Sequence, residues 1–263
     1  MSNPFSEAVT DIVDGLKLAP LWTTLGWEQV VSRFRRTVLG PFWLSANTLA
    51  ISFSLSVVYG GLMGSDYRAT FALLVTGILT WSVIGAPLTE ASGLFVTSAS
   101  TMMSQKLPLS FYVFLMMFRV VINFIAQLLA LWVVLLILRL GAPPSWQIIF
   151  GFPLTVCTMT LICLIAAFPA ARFRDLQQLI GAVVQLLFFI TPVIWAPINM
   201  SHRQRLMAYY NPLAHLVAIV RAPLLGHSPN PSDWSWAFGT FFVSLGIAIV
   251  VLALYRKRVI FWL

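Results

Sequence analysis

Acidic side chains are scarce in this sequence. Among 263 residues there are eight Asp and Glu against 16 Lys and Arg, and charged residues of both signs make up 9%. Soluble domains carry roughly 25% charged residues, so a soluble domain is excluded. The few acids are scattered, which leaves no paired carboxylates of the kind a membrane glycosyltransferase or polymerase presents on a cytoplasmic loop. Also missing are a G-x-x-x-x-G-K-[ST] phosphate loop, a His/Cys/carboxylate set with metal spacing, and a Ser/His/Asp arrangement. The chain is therefore not expected to be an enzyme, nor to bind a metal or cofactor. The two cysteines, Cys157 and Cys163, lie in one apolar run and point to different helix faces, so no disulfide joins them. His202, His215 and His227 share one segment in which Asp233 is the sole acid. They are expected to be interfacial polar residues rather than metal ligands.

What is present is hydrocarbon: 59% hydrophobic residues and a mean hydropathy of +0.89. Several apolar runs match the ~20 residues that cross ~30 Å of hydrocarbon as a helix, and none alternates as an outer-membrane barrel does. The fold class is all-α integral membrane, read as a single transmembrane domain over 1–263. Six spans are expected: Phe42 to Met63, Phe71 to Val96, Phe111 to Leu138, Ile148 to Phe168, Leu176 to Trp195 and Ala237 to Tyr255. Residues 1–40 form a cytoplasmic interface segment and 256–263 a cytoplasmic tail. Within the former, Phe5, Val9, Ile12, Val13 and Leu16 recur at helical spacing opposite Glu7, Asp11, Asp14 and Lys17, the pattern of an amphipathic helix lying on the bilayer. Its acids stand where a signal peptide needs a basic flank and an apolar core, so it is expected to be retained.

The net charge is +8 and the pI about 10.1. The basic residues cluster at the ends of apolar runs, which fits an anionic cytoplasmic leaflet and not nucleic acid. With six spans both termini share a side. On that side fall Lys17, Arg33, Arg35, Arg36, Lys106, Arg172, Arg174, Arg256, Lys257 and Arg258; on the other, Arg68, Arg139, Arg203, Arg205 and Arg221. The excess puts both termini inside.

Ser45, Thr48, Ser52, Ser56 and Tyr59 fall on one face of the first span. Such a stripe either lines a polar path or lets helices pack closely. Glu90 and Arg119 are the ionisable residues inside spans, functional candidates by default. Antiparallel neighbours would bring them level, so an ion pair is expected; the alternative is that each snorkels separately. The link Thr97 to Ser110, TSASTMMSQKLPLS, is an inert loop or a small helix offered to a partner. From Ala196 to Trp236 the chain is too apolar for a solvated loop and too interrupted for a span, which points to a re-entrant or interfacial helical pair before the last span. Some of the 20 Phe, 10 Trp and 6 Tyr are available to line a route for sugars.

Four segments occur in a telling order: RFRRTVLGPFW, the link ending QKLPLS, RFRDLQQLIGAVVQLLFFITPVIW from Arg172, and NPLAHLVAIVRAPLLG from Asn211. Together they resemble the membrane subunit of type-2 ATP-binding-cassette exporters of polysaccharides, the group that moves lipid-linked O-antigen, capsule and teichoic acid. The resemblance runs from about Trp22 to Tyr255. It implies a homodimeric permease in the bacterial inner membrane, two copies of a separate cytoplasmic ATPase holding ATP and Mg, and a lipid-linked polysaccharide as substrate. It implies that Ser98, Ala99, Ser100, Thr101, Met102, Met103, Ser104, Gln105, Lys106 and Leu107 form the coupling helix. It implies that Arg33, Arg35, Arg36 and Trp43 belong to a gate meeting a pyrophosphate-linked lipid headgroup, with topology anchoring the other role open to the arginines. The same architecture moving a drug, haem or lipid, and a secondary transporter, are the rival readings.

Overall fold

The computed structural model describes residues 3–35, 37–38, 40, 42–63, 67–139, 143–195 and 202–262. Among these there are helices and turns and no strand. Two helices open the chain, α1 (Pro4–Lys17) and α2 (Ala19–Phe34). The long apolar helices are α3 (Phe42–Met63), α7 (Leu109–Ile137), α8 (Ile148–Arg172) and α12 (Pro231–Tyr255). Between α3 and α7 the chain forms α4 (Tyr67–Ser82), α5 (Gly85–Thr97) and α6 (Ala99–Ser104). After α8 come α9 (Asp175–Ile190), α10 (His202–Tyr210) and α11 (Pro212–Leu224), and a 3-10 turn, Val259–Phe261, closes the chain.

Five helical stretches among the described residues are long and apolar enough to cross a membrane, α4 and α5 counting as one 31-residue crossing broken at Val83 and Ile84. Of the expected sixth span, Leu176 to Trp195, the helical part is α9, whose 16 residues give about 24 Å at 1.5 Å per residue, shorter than the other five stretches. The cause is local. Pro192 disfavours helical backbone at Thr191, which is extended (φ −79, ψ 138) and ends the helix. Non-helical backbone is tolerated at membrane depth only where protein satisfies it. Here Arg221 Nη1 donates to the Pro192 carbonyl at 2.6 Å, and Asn211 Nδ2 donates to Thr191 Oγ1 at 2.9 Å. Thr191 and Val193 are fully buried. Gly77 of α4 admits the Val193 carbonyl so closely that a Cβ there would lie 2.2 Å from its oxygen.

One end of the bundle gathers α1, the α6–α7 link, Arg172 at the end of α8, and the segment after α12. The other end carries α10 and α11. Prolines at the first turns of α11 and α12 suit positions that need no amide hydrogen. The Asn211 side chain accepts the Leu213 amide at the start of α11, and the Asp233 carboxylate accepts the Asn230 amide at the start of α12.

The amphipathic helix α1 is oriented against the rule for soluble proteins. Phe5, Val9, Val13 and Leu16 are exposed, whereas Ala8, Asp11 and Gly15 are buried against protein. An apolar face turned outward belongs against lipid. Its small and polar face packs on α7 and α12.

Candidate functional site

The hydroxyl stripe of α3 faces inward. Ser45, Thr48, Ser52 and Ser56 are buried, and α3 packs on α4 and α7. Thr48 donates to the side-chain oxygen of Gln127 at 3.2 Å, and Ser56 bonds back to the Phe53 carbonyl at 2.8 Å. Tyr59 is half-buried. Within this protomer the stripe serves packing, since small hydroxylated side chains let α3 approach its neighbours closely. The exposed face of α3 is largely apolar, with Ile51, Phe53, Val57 and Val58, interrupted by Asn47 and Ser54.

Arg119 Nη2 of α7 and Glu90 Oε1 of α5 form an ion pair. Arg119 Nε is buried and has no other partner, so Glu90 is the counter-charge that keeps the guanidinium tolerable in an apolar span. With 28% and 45% of the two side chains exposed, the pair sits at the rim of the bundle rather than in its core.

Arg33 lies in the last turn of α2 and Arg35 follows the helix, both exposed; Trp43 lies in the first turn of α3 and is also exposed. Arg36 lies outside the described residues. The structure separates the first two. The Arg33 guanidinium sits over the Phe34 ring, 5.9 Å from its centroid. Arg35 instead borders a groove of about 510 Å³ between α2 and α7, lined by Trp27, Val30, Val31, Phe34, Gly40, Ile122, Ile125, Ala126 and Leu129. An apolar trough with a guanidinium at its rim suits an amphiphile that carries a hydrocarbon chain and an anionic head. Sequence periodicity missed this because the trough is made by the approach of two helices, and Gly26, whose Cβ would lie 2.6 Å from the Phe118 ring, permits that approach.

The link before α7 contains a short helix. Residues 99–104 are helical, with Ser98 at the N-cap position and Gln105 extended beyond. Met102 is buried, whereas Met103 is 66% exposed. Thr101, Ser104, Gln105 and Lys106 are exposed as well. The helix therefore clips onto the bundle by one methionine and offers the other outward. Among the described residues, no three His, Cys, Asp or Glu side chains converge to hold a metal.

The ABC-2 type transporter family profile matches residues 20–225. The chain belongs to the ABC-2 type transporter family. Two curated relatives of this ABC-2 transporter subunit, both from Klebsiella pneumoniae, are named O-antigen export system permease protein RfbA. One is 20% identical over 229 residues and the other 22% over 235, each alignment covering 86% of both chains. Family membership makes the protein a membrane transport subunit, in keeping with its apolar helices.

Proposed function

We propose that this ABC-2 permease exports a lipid-linked, O-antigen-like polysaccharide across the inner membrane, as a homodimer driven by two copies of a separate ATPase. The observation that carries the reading is the likeness to the two O-antigen export permeases over 86% of both chains. The groove bordered by Arg35 supports it: a polyprenyl or acyl chain would lie in the trough, while the guanidinium meets the pyrophosphate. ATP and Mg belong to the ATPase, and this chain would bind neither. Segment 98–107 would seat in that subunit, so that nucleotide-driven closure biases the permease dimer between two states. Both termini, on the end rich in basic residues, would face the cytoplasm.

The test is a deletion in the native cell, complemented by the wild-type gene. Lipid-linked polysaccharide should accumulate on the cytoplasmic face and disappear from the cell surface. Unchanged surface polysaccharide would refute the assignment and favour a drug or lipid substrate for the same architecture.

A further inference from the structure

One of the protein's eight acidic residues supplies a heavily used buried contact. Asp11 of α1 is 2% exposed. Its Oδ2 accepts from the Leu109 amide at 3.1 Å and its Oδ1 from the Ser110 amide at 3.0 Å. These are the first two amides of α7, whose own N-cap position holds Pro108 and provides no side-chain bond. A residue almost a hundred positions away thus supplies the missing cap. Ser110 Oγ in turn donates to the Asp11 carbonyl at 2.8 Å. Arg256 Nε, just past α12, lies 3.3 Å from Asp11 Oδ2, and Arg256 Nη1 donates to the Glu7 carbonyl at 2.9 Å.

Asp11 therefore ties three things: the helix entered directly from segment 98–107, the interfacial helix α1, and the end of α12. Contacts continue from α1 towards the groove. Trp22 Nε1 of α2 donates to the Gly15 carbonyl at 3.2 Å, and the Trp22 ring packs against Phe114 and Phe118. At the far end of α2 stands Arg35.

We infer that Asp11 is a positioning residue that makes α1 and the α6–α7 corner move as one body, so that displacement of segment 98–107 reaches the α2–α7 groove. A carboxylate suits this role. It accepts two amides and a guanidinium at once, and these charge-assisted bonds hold their geometry more tightly than neutral ones. Pro108 restricts the backbone at the corner, which limits slack between α6 and α7. The inference rests on the proposed docking of segment 98–107 to an ATPase.

The experiment uses the permease–ATPase complex in nanodiscs, with Cys157 and Cys163 replaced by Ala and spin labels introduced in pairs. One pair, Ser104→Cys with Trp146→Cys, reports whether segment 98–107 moves relative to the opposite end of the bundle when ATP and vanadate are added. The other, Val13→Cys with Ser104→Cys, reports movement of α1 relative to that segment. With Asp11 present, the first distance should shift with nucleotide and the second should hold constant. With Asp11→Ala the second should also become nucleotide-dependent, which a merely loosened fold would not produce. Arg256→Gln, which spares both amide bonds, should give a smaller effect, and Arg256→Lys should restore constancy; this pair carries the test if Asp11→Ala does not fold. A second distance that changes with nucleotide in the native complex, or stays constant in both Asp11→Ala and Arg256→Gln, overturns the inference. A first distance that never moves refutes the docking reading and removes the positioning role with it.

Discussion

His215 Nδ1 lies 2.6 Å from Asp233 Oδ1, joining α11 to the first turn of α12. The other ring nitrogen, Nε2, lies 2.8 Å from the Tyr209 carbonyl of α10. A carbonyl only accepts, so Nε2 is the donor in that bond and Nδ1 is left facing the Asp233 carboxyl. The Trp236 ring stacks parallel on the imidazole at 5.3 Å, and Asp233 Oδ2 also accepts the Asn230 amide. One buried pair thus pins α10 and α11 to the start of the last span.

Removing either partner strands the other in a buried site, which costs about 1–3 kcal/mol. We expect His215→Ala and Asp233→Ala each to lower the unfolding temperature of the purified permease and to expose Trp236 to a collisional quencher. Asp233→Asn, which keeps one hydrogen bond to the ring, should fall between them and the wild type. Equal unfolding temperatures for all three variants and the wild type would remove the pinning role.

A second test concerns Glu90 and Arg119. Because the pair is partly exposed, its intrinsic worth is about 1 kcal/mol or less. Breaking it leaves Arg119 with a buried Nε and no counter-charge. Glu90→Ala should therefore destabilise more than the double variant Glu90→Ala with Arg119→Leu, measured as a double-mutant cycle in detergent or nanodiscs. Strict additivity would mean that the two side chains act independently.

Close approach of backbone gives the third. A Cβ at Gly77 would lie 2.2 Å from the Val193 carbonyl oxygen, and one at Gly151 would lie 2.2 Å from that of Ile219. Neither contact involves a side chain able to swing away. Gly77→Ala and Gly151→Ala should each cost about 1–3 kcal/mol through forced backbone shifts. By contrast, Gly239→Ala, with open space around it, should leave the melting temperature unchanged or slightly raised.

The helices were legible in the sequence wherever the apolar run was long, because burial in lipid imposes one requirement on every residue of a span. The shortness of α9 was legible too, in Thr191-Pro192, but hydropathy averages across such a break and hides it. Sequence placed Glu90 and Arg119 at matching depths, since antiparallel neighbours convert residue offsets into heights. It gave no hint of Asp11 as a cap for α7, a partnership made entirely by tertiary packing. The amphipathic pattern of α1 pointed instead to a solvated acidic face, because pattern alone does not tell which face meets protein. The hydroxyl stripe of α3 was visible as a stripe, yet its destination depends on which neighbours surround it. Likewise His215 looked like one of three interfacial histidines, and only the fold brings Asp233 and Trp236 against it.

Segment 98–107 separates stability from partner contact within two adjacent residues. Met102→Ala removes a buried side chain and should lower the melting temperature of the permease, a large-to-small change of about 2–5 kcal/mol in a closed core and less at this edge. Met103→Asp changes a side chain that is already exposed, so the isolated permease should melt as the wild type does. If the segment seats in an ATPase, the same substitution should sharply reduce co-purification of that subunit. Retained association in Met103→Asp would move the docking surface elsewhere on the basic end.

Arg33 and Arg35 offer a comparison with the charge held fixed. Lysine in place of either keeps the cation near the membrane surface and so preserves any role in topology. It loses the planar fork that grips a phosphate through two parallel hydrogen bonds. Only Arg35 borders the groove between α2 and α7, while Arg33 rests over Phe34. Arg35→Lys should therefore cut export of lipid-linked polysaccharide, scored as surface polymer in complemented cells, by about tenfold, the equivalent of one lost bidentate contact of roughly 1.4 kcal/mol. Arg33→Lys should stay near the wild type. If the two variants export equally well, the trough does not read the headgroup, and the arginines act as anchors for the first span. If both fail to insert, as scored by protease accessibility of the chain, the positive charge at this position demands the guanidinium for topology itself, and recognition must lie with other residues.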